Sequence, residues 1–286
     1  MKSILFITEE LSHYRAPLFE SLTDKISLTI GHFGVPSNKY SFNEINLNYI
    51  HLVGFKYIKL HDLKNYDIII FPFTIRLINI WFFIINPFRS LKKQKFGLFG
   101  IGLKASYKNK YDSSYFDFFL RKIILRKLDF CVFYDNYPKI KFQASGINSS
   151  KLSVAFNTIN NPYANFTAKS SGYFLFIGSL YKAKKINILI DAYVLLSKSE
   201  TDLPKLKIVG SGSEYIMLKD KIILLGLENK IILLGEIIDI KKISQIYSKS
   251  LVTISPNQAG LSVLNSFSNG CGFISSESAI TGGERF

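Results

Sequence analysis

Short apolar runs alternate along the chain with longer stretches in which apolar residues recur every three to four positions. The runs are typical of buried parallel strands, and the longer spacing is typical of helices that pack one face on a core. Before residue 160, the apolar runs predict strands at residues 3–8, 26–33, 48–53, 67–71, 96–99, 130–134 and 151–155. The helical spacing predicts helices at residues 14–22, 115–128 and 139–145. This alternation indicates an α/β domain.

A polar segment at residues 157–172, which contains Pro162, interrupts the alternation and predicts a domain boundary. We place an N-terminal domain at residues 1–160, a linker at 161–172 and a C-terminal domain at 173–286. In the second domain, strands are predicted at residues 173–177, 205–209, 230–234, 251–255 and 272–274. The intervening helices are predicted at residues 184–197, 214–225, 241–248 and from 259–262 onward. This is the spacing of βαβ units, so the expected fold class is α/β with two doubly wound, Rossmann-like domains.

The most informative stretch is residues 251–270, which has the pattern strand, glycine turn, helix. Residues 251–255 are apolar and β-branched, and Gly260 precedes apolar residues at helical spacing. A helix amino terminus presents free N–H groups and the positive end of the helix dipole, which suit a phosphate. The N–H groups of Gly260, Leu261 and Ser262 are therefore candidate phosphate ligands. An ordinary strand-to-helix turn without a ligand explains the same pattern and stays open.

Composition excludes several classes of protein. The chain has 286 residues, of which 48% are hydrophobic, so it is not a disordered chain and has enough apolar side chains for sizeable cores. Cys131 and Cys271 are the only cysteines and lie far apart, which argues against a disulfide framework and a zinc site. The first residues lead directly into a strand without the features of a signal peptide. We therefore expect a cytoplasmic protein.

The net charge of +15 calls for an anionic partner, and the charge is unevenly distributed. Residues 89–141 contain thirteen Lys/Arg and four Asp. The segment directly before them, 78–88, is apolar, aromatic and free of charge, but it is too short to span a bilayer. Apolar surface beside a basic cluster is typical of contact with an anionic membrane surface, and a core helix followed by a solvated basic face is the alternative. Nucleic-acid binding would rest on charge alone, because no nucleic-acid-binding module is recognisable.

Several segments of the second half resemble one enzyme family in both order and spacing. They are FLFIGSLYKAKKINILIDAY (174–193), LKIVGSGSE (206–214), IILLGEI (231–237), SPNQAGLSVLNS (255–266) and AITGGE (279–284). Residues 174–286 thereby resemble the donor domain of glycosyltransferase family 4, the group 1 retaining nucleotide-sugar transferases of two-domain GT-B fold. The last two segments are most similar to the subgroup that assembles polysaccharides and O-antigens. The first half resembles the family less, through SHYRAPLF (12–19) and FNTIN (156–160).

The resemblance implies which residues hold the donor. Lys184 falls on the lysine that grips the donor diphosphate and is the implied catalytic residue, although its position alone also fits a solvent-facing lysine in the first turn of a helix. The donor-binding set that the resemblance implies is Gly178, Ser179, Lys184, Gly210, Gly212, Gly235, Glu236, Ile237, Asn257, Gly260, Leu261, Ser262, Asn265 and Glu284. Tyr14 and Arg15 are candidate acceptor-binding residues, with packing of the first helix as the alternative.

Four positions depart from the family pattern. Ser179 stands where the family commonly has an arginine, Asn257 and Asn265 stand at both glutamate positions, and Ile101 stands where relatives often have a histidine. Family members usually continue beyond the position of Phe286, so a truncated chain with an incomplete second domain is expected. These departures keep open a second interpretation, a catalytically inactive nucleotide-sugar-binding remnant or partner subunit of a glycosyltransferase.

The expected function is retaining transfer of a sugar from a nucleotide-diphosphate sugar to a lipid-linked glycan acceptor, in the biosynthesis of a surface polysaccharide. The resemblance implies neither a cofactor nor a metal ion. The expected partners are the nucleotide-sugar donor, a glycan or polyprenyl-linked acceptor and an anionic membrane surface, and nucleic acid is not expected. The expected location is cytoplasmic, peripheral on the inner face of the cell membrane.

Overall fold

The computed structural model of the chain divides into two compact units, Met1–Asn160 and Asn161–Phe286. Each unit is built around its own parallel sheet. Among the helices that the structure describes, none is long and apolar enough to cross a bilayer. The residues described are 1–12, 15–37, 39–59, 63–85, 94–104, 112, 114–159, 161–164, 171–277 and 280–281.

The first unit contains a seven-stranded parallel sheet and a separate two-stranded hairpin. Its strands are β1 (Ser3–Ile7), β2 (Ser27–His32), β3 (Asn43–Asn46), β4 (Tyr49–Leu52), β5 (Phe55–Ile58), β6 (Ile68–Pro72), β7 (Lys95–Gly100), β8 (Phe130–Phe133) and β9 (Leu152–Val154). Its helices are α1 (Ala16–Glu20), α2 (Ile78–Ile85), α3 (Tyr115–Lys127) and α4 (Asn136–Ala144). The order of strands in the sheet is β3-β2-β1-β6-β7-β8-β9, and β4 pairs with β5 in the hairpin.

Both faces of this sheet are buried. Successive side chains of β1 point to opposite faces, and Leu5 and Ile7 pack in the larger core cluster while Phe6 packs in a second cluster. That second cluster includes Ile30 of β2 and Phe19 of α1. Burial on both faces explains why the strands appear in the sequence as continuous apolar runs, and it makes this unit doubly wound as expected.

The strand predicted at residues 48–53 is present, but it belongs to the antiparallel hairpin and not to the parallel sheet. The third strand of the sheet is β3, which pairs with β2 at the sheet edge. Sequence reasoning missed β3 because its four residues, Asn-Glu-Ile-Asn, include a single apolar side chain. An edge strand needs no continuous apolar run, because its outer side is not covered by another strand.

The aromatic segment predicted at residues 78–88 forms α2 over residues 78–85, and residues 86–88 lie outside the described part of the chain. Ile80 is buried in the core. Trp81 is half-buried, and its Nε1 donates a hydrogen bond to the Ile75 carbonyl at 2.8 Å. On α2 the exposed side chains are Phe82 and Ile85. The helix is therefore mainly a core helix, with a small apolar area left uncovered.

The second unit contains a five-stranded parallel sheet in the order β12-β11-β10-β13-β15. Its strands are β10 (Tyr173–Ile177), β11 (Leu206–Val209), β12 (Ile231–Gly235), β13 (Ser250–Ser255), β14 (Gln258–Ala259), β15 (Gly272–Ser275) and β16 (Ile280–Thr281). Its helices are α5 (Ile186–Ser199), α6 (Tyr215–Leu224), α7 (Ile240–Ser248) and α8 (Leu261–Ser268). The short strands β14 and β16 pair with each other outside the main sheet.

Candidate nucleotide-sugar site

The second unit has a topological switch point between β10 and β13. The chain runs outward from β10 through β11 to β12, and then returns to place β13 on the other side of β10. The loops that leave the carboxyl ends of these two neighbouring strands diverge, and such a point is where doubly wound sheets bind ligands. The two loops are the one that carries Lys184, after β10, and the one that leads into α8, after β13.

Backbone hydrogen bonds join the loops that follow β10 and β11. The Leu180 N–H donates to the Ser211 carbonyl at 2.8 Å, and the Glu214 N–H donates to the Leu180 carbonyl at 2.9 Å. Gly210 has φ +144°, and a Cβ at this position would overlap the carbonyl oxygen of Gly178. The glycine at 210 is therefore required by the close approach of two backbones, a structural reason that holds without any ligand.

Lys184 lies in a short 3-10 turn, Lys182–Lys184, between β10 and α5. Because α5 begins at Ile186, the prediction that Lys184 starts this helix is wrong by two residues. The Lys184 side chain is half-buried, and its Nζ lies 5.8 Å from the centroid of the Tyr181 ring. Burial lowers the pKa of Lys184 below the ordinary value for lysine. Loss of solvent makes the ammonium group costly here, and an anionic ligand would offset that cost.

The turn from Lys184 into α5 passes through a left-handed residue, Lys185, with φ 53° and ψ 41°. A non-glycine residue in this conformation costs about 1–2 kcal/mol of folding free energy. Replacing it by glycine removes this cost, but the greater conformational entropy of glycine in the unfolded chain offsets part of the gain. We expect Lys185→Gly to stabilise the second unit by roughly 0.5–1 kcal/mol, measured by amide hydrogen exchange of α5. Lys182→Gly, in the same turn without positive φ, is the matched control and should be neutral or destabilising. Equal effects of the two changes would contradict the strain at Lys185.

Asn257 connects the two loops of the switch point. Its side chain is buried, and its Nδ2 donates a hydrogen bond to the Ala183 carbonyl at 2.8 Å, directly before Lys184. A glutamate, which the family pattern has at this position, is an acceptor only when ionised and has no N–H to donate to a carbonyl. The asparagine therefore fixes the Lys184 turn to the loop before α8. The sequence analysis named Asn257 as a donor candidate and as a departure from the family pattern, but it missed this bond because the partner is 74 positions away.

The amino terminus of α8 lies on the other loop of the switch point. Its N-cap is Gly260, which provides no side-chain cap, and the Val263 N–H donates to the Gly260 carbonyl at 2.9 Å. The hydroxyl of Ser262 is buried and has no hydrogen-bond partner among the described residues. Helix N–H groups, the helix dipole and this hydroxyl together suit an anion.

The remaining donor candidates of the sequence analysis follow strands of the same sheet, except for Asn265 and Glu284. Ser179 is exposed after β10, and Gly235 ends β12 with Glu236 and Ile237 directly after it. Asn265 lies within α8, half-buried. Glu284 lies outside the described residues. The structure thus places the described candidates at the carboxyl edge of one sheet or on the helix that follows it.

Arg15 lies in the first unit, at the N-cap of α1. It donates a hydrogen bond to the Tyr134 hydroxyl at 2.7 Å, and its guanidinium lies over the rings of Phe99 and Tyr134. Phe99 is near the carboxyl end of β7, and Tyr134 directly follows β8. Tyr14 lies outside the described residues. The sequence analysis placed Tyr134 as the last residue of the predicted strand 130–134 and gave it no role, although the carboxyl end of a buried strand was a visible signal.

No metal centre is visible in the described ranges: they contain no group of three or more His, Cys, Asp or Glu side chains that could hold a metal ion. The charge in the candidate site is supplied by Lys184 and by the α8 amino terminus. Both suit a phosphate.

Comparison with known proteins bears on the family resemblance and on the fold. Residues 160–282 match the sequence profile of the family described as Glycosyl transferases group 1. No curated protein matches the chain at the significance applied to the other comparisons. This match covers every donor candidate of the second unit except Glu284.

Solved structures match nearly the whole chain. The Anabaena protein HepE in complex with UDP is 14% identical, with 98% of this chain and 82% of that chain covered and a TM-score of 0.65. The lipopolysaccharide outer core galactosyltransferase WaaB is 18% identical, with 97% and 81% covered and a TM-score of 0.60. TarM is 11% identical, with 96% and 84% covered and a TM-score of 0.65. The predicted fold class, α/β with two Rossmann-like parallel sheets of the GT-B type, is confirmed.

Proposed function

We propose that the protein is a retaining glycosyltransferase that moves a sugar from a nucleotide-diphosphate sugar to a lipid-linked glycan acceptor in the biosynthesis of a surface polysaccharide of O-antigen type. The observation that carries this proposal is the switch point of the second unit. There the Lys184 turn and the α8 amino terminus occupy adjacent loops, and Asn257 joins them. The group 1 glycosyltransferase match over residues 160–282 supports the same assignment.

The titles of similar structures support the class of donor. HepE has been solved with UDP and with UDP-glucose, and WaaB is named a galactosyltransferase of the lipopolysaccharide outer core. For the present protein we propose the same class of donor, with a nucleoside diphosphate as the leaving group. The phosphates would lie between Lys184 and the N–H groups of Leu261 and Ser262. Gly235–Ile237, at the end of β12 on the same edge, would lie at the nucleobase.

The proposed chemistry follows from where charge develops. The bond between the sugar C1 and the diphosphate oxygen breaks, so negative charge grows on the leaving phosphate and positive charge on the sugar ring. A lysine and a helix amino terminus aimed at the phosphate stabilise this transition state more than the ground state. The acceptor hydroxyl attacks the face that the diphosphate leaves, and a diphosphate oxygen takes its proton. This route requires no pair of protein carboxylates.

On the acceptor side, we propose that Arg15 binds an anionic group of the acceptor. Its guanidinium is already oriented by the Tyr134 hydroxyl and two aromatic rings, so little side-chain entropy is lost on binding. A glycan linked to polyprenyl diphosphate is an acceptor that carries such an anionic group. We also propose contact with an anionic membrane surface through the basic residues of 89–141, on the cytoplasmic side of the cell membrane. Lys92 and Lys93 of this cluster lie outside the described residues.

A second candidate is a protein that binds the nucleotide sugar without transferring it. Asn257 favours this alternative, because its amide is engaged with the Ala183 carbonyl at a position where the family pattern has a glutamate. Asn265 at the second glutamate position and Ile101 at the histidine position also favour this candidate. Binding of a nucleotide sugar without release of nucleoside diphosphate would identify this candidate.

The proposed function is tested with a panel of nucleotide sugars and a polyprenyl-diphosphate-linked glycan. We expect one donor to be consumed, with release of its nucleoside diphosphate and retention of the anomeric configuration in the product. Asn257→Ala should slow this turnover, because it frees the Lys184 turn. Ser199→Ala, at the exposed end of α5 and outside the donor-binding set, should have less effect. A product of inverted configuration would contradict the retaining mechanism. Failure of every nucleoside diphosphate to bind would contradict the site itself.

A further inference from the structure

The hairpin of β4 and β5 has an uncovered apolar face. Its register places Ile50 opposite Tyr57 and Leu52 opposite Phe55. Directly opposed residues of an antiparallel pair share a face, as do residues two apart on one strand. All four side chains therefore project from the same face of the hairpin. Val53, in the turn between the strands, is fully exposed.

The opposite face of the hairpin is packed on the first unit. Tyr49 stacks on Phe33 with ring centroids 3.6 Å apart, and Ile58 is completely buried. On the uncovered face, Ile50, Leu52 and Phe55 remain 47%, 49% and 46% exposed. The hairpin is thus anchored by one side and presents apolar side chains to the surroundings on the other.

Helix α2 extends this apolar surface. The Tyr57 ring meets the Phe82 ring edge to face at a centroid distance of 6.3 Å, and Phe82 is 63% exposed. Ile85, one helical turn further, is 72% exposed. We define the hairpin surface as Ile50, Leu52, Val53, Phe55, Phe82 and Ile85. A contiguous exposed apolar patch of this kind usually marks a contact with a partner or a membrane.

The hairpin surface is held in place by hydrogen bonds to α2 and to Arg76, two residues before the helix begins. The Asn79 carboxamide pairs with the backbone of Ile58, accepting from its N–H and donating to its carbonyl, both at 2.8 Å. The Lys56 N–H donates to the Arg76 carbonyl at 2.8 Å. These bonds tie the hairpin and α2 into one element, so its apolar side chains are presented with little freedom to fold back.

Charge identifies the partner. The first 160 residues contain 22 Lys/Arg and 11 Asp/Glu, a net +11 of the total +15. The segment that directly follows α2, residues 86–94, contains Arg89, Lys92 and Lys93 and no acidic residue. A domain of net positive charge with an exposed apolar surface matches a bilayer interface, whose anionic headgroups attract the charge and whose acyl region takes up the apolar side chains. A neutral or basic protein surface would gain no electrostatic attraction from these positive charges.

We propose that the hairpin surface inserts into the interface of an anionic bilayer, with the tip at Val53 deepest. This deepens the membrane contact proposed above, which named only the basic residues of 89–141, and it rests on that proposal. Trp81 is not part of the inserted surface, because its ring packs on the core and its Nε1 is bonded to the Ile75 carbonyl. The inference is independent of the transfer chemistry.

The test uses the full chain with a single labelled cysteine. Cys131 and Cys271 are both buried, so an environment-sensitive dye will react selectively with Val53→Cys at the tip. Leu224→Cys on α6, which is also highly exposed, is the matched control. On vesicles of phosphatidylcholine with phosphatidylglycerol, we expect a blue shift of the dye at position 53 and none at position 224. Vesicles of phosphatidylcholine alone should give a much weaker response.

A second measurement compares two double variants in vesicle sedimentation. Leu52→Ser with Phe55→Ser should weaken partitioning by about tenfold or more, since inserted apolar area is lost. Leu195→Ser with Leu196→Ser, at exposed positions of α5, should bind as the parent does. Thermal unfolding of each variant checks that the fold is kept.

The outcomes separate the inference from the proposal on which it rests. Anionic-vesicle binding that the hairpin variants leave unchanged, with no blue shift at position 53, overturns the inference and leaves the electrostatic contact standing. Absence of binding to either vesicle overturns both. A blue shift that needs no lipid and grows with protein concentration assigns the surface to a second copy of the chain and overturns the membrane assignment. Transfer to a short soluble acceptor should be equal in all variants.

Discussion

Lys184→Ala should lower the rate of sugar transfer by roughly 10²–10³-fold, the usual result of removing one group that meets developing charge. Lys184 lies in the turn that Asn257 bonds to the loop before α8, so its loss leaves the leaving diphosphate with only the α8 amino terminus to stabilise it. Affinity for the nucleoside diphosphate should fall by at least about 1.5 kcal/mol, the scale of a charged hydrogen bond. Initial rates and calorimetry measure the two effects.

The matched control is Lys182→Ala, because Lys182 lies in the same 3-10 turn but is exposed. A surface change of this kind should stay within about 0.5 kcal/mol of the parent. If both alanine variants bind the diphosphate as the parent does, the phosphate site lies elsewhere. If both lose it equally, the effect comes from the turn and not from the Lys184 charge.

The pH dependence gives an additional check on Lys184. Burial lowers the pKa of this lysine, so its charge is lost as the pH rises through a value below that of an ordinary lysine. Affinity for the diphosphate should therefore decline at a lower pH than an ordinary lysine would allow. Arginine stays charged throughout this range, so a Lys184→Arg variant that still binds should keep its affinity at high pH. Identical alkaline profiles for the two proteins would contradict this role of the Lys184 charge.

The sequence alone was sufficient to predict the strands that are covered on both sides. β10 was predicted with the bounds that it has, and β13 within one residue, because each lies inside a sheet and its apolar run is continuous. β3 was missed because an edge strand needs few apolar residues, and β5 was missed because its four residues, with Lys56 among them, are too short a run to show a clear period. Parallel pairing itself followed from the alternation of strands and helices.

The site was predictable in part, and the limit lies in contacts between distant segments. The position of Lys184 near a helix amino terminus followed from motif resemblance, and the two loops are indeed at neighbouring strand ends. The bond from Asn257 to the Ala183 carbonyl and the contact of Gly210 with the Gly178 carbonyl depend on how separate loops pack. No periodicity or local propensity encodes such contacts, so they appear only when the sheet is assembled.

Gly210→Ala should destabilise the second unit by about 3 kcal/mol, the sum of backbone strain and an overpacked contact. The glycine has φ +144°, and a new Cβ would overlap the backbone oxygen of Gly178, which has no side-chain freedom to move away. The bond from the Gly210 N–H to the Gly235 carbonyl, 2.7 Å long, would be strained in the same step. Amide hydrogen exchange of β10 and β11 reports on this unit alone and measures the loss.

Gly226→Ala separates the two causes of that loss. Gly226 also has positive φ, +63°, but an added Cβ there would have no neighbour within 4 Å. Its replacement should therefore cost only the conformational strain, about 1–2 kcal/mol. Because alanine enters φ +144° less readily than φ +63°, the difference between the two variants is an upper bound on the cost of the collision between the loops after β10 and β11. Should Gly210→Ala cost no more than Gly226→Ala, the loops are free to separate, and the close backbone approach does not hold the Lys184 turn in place.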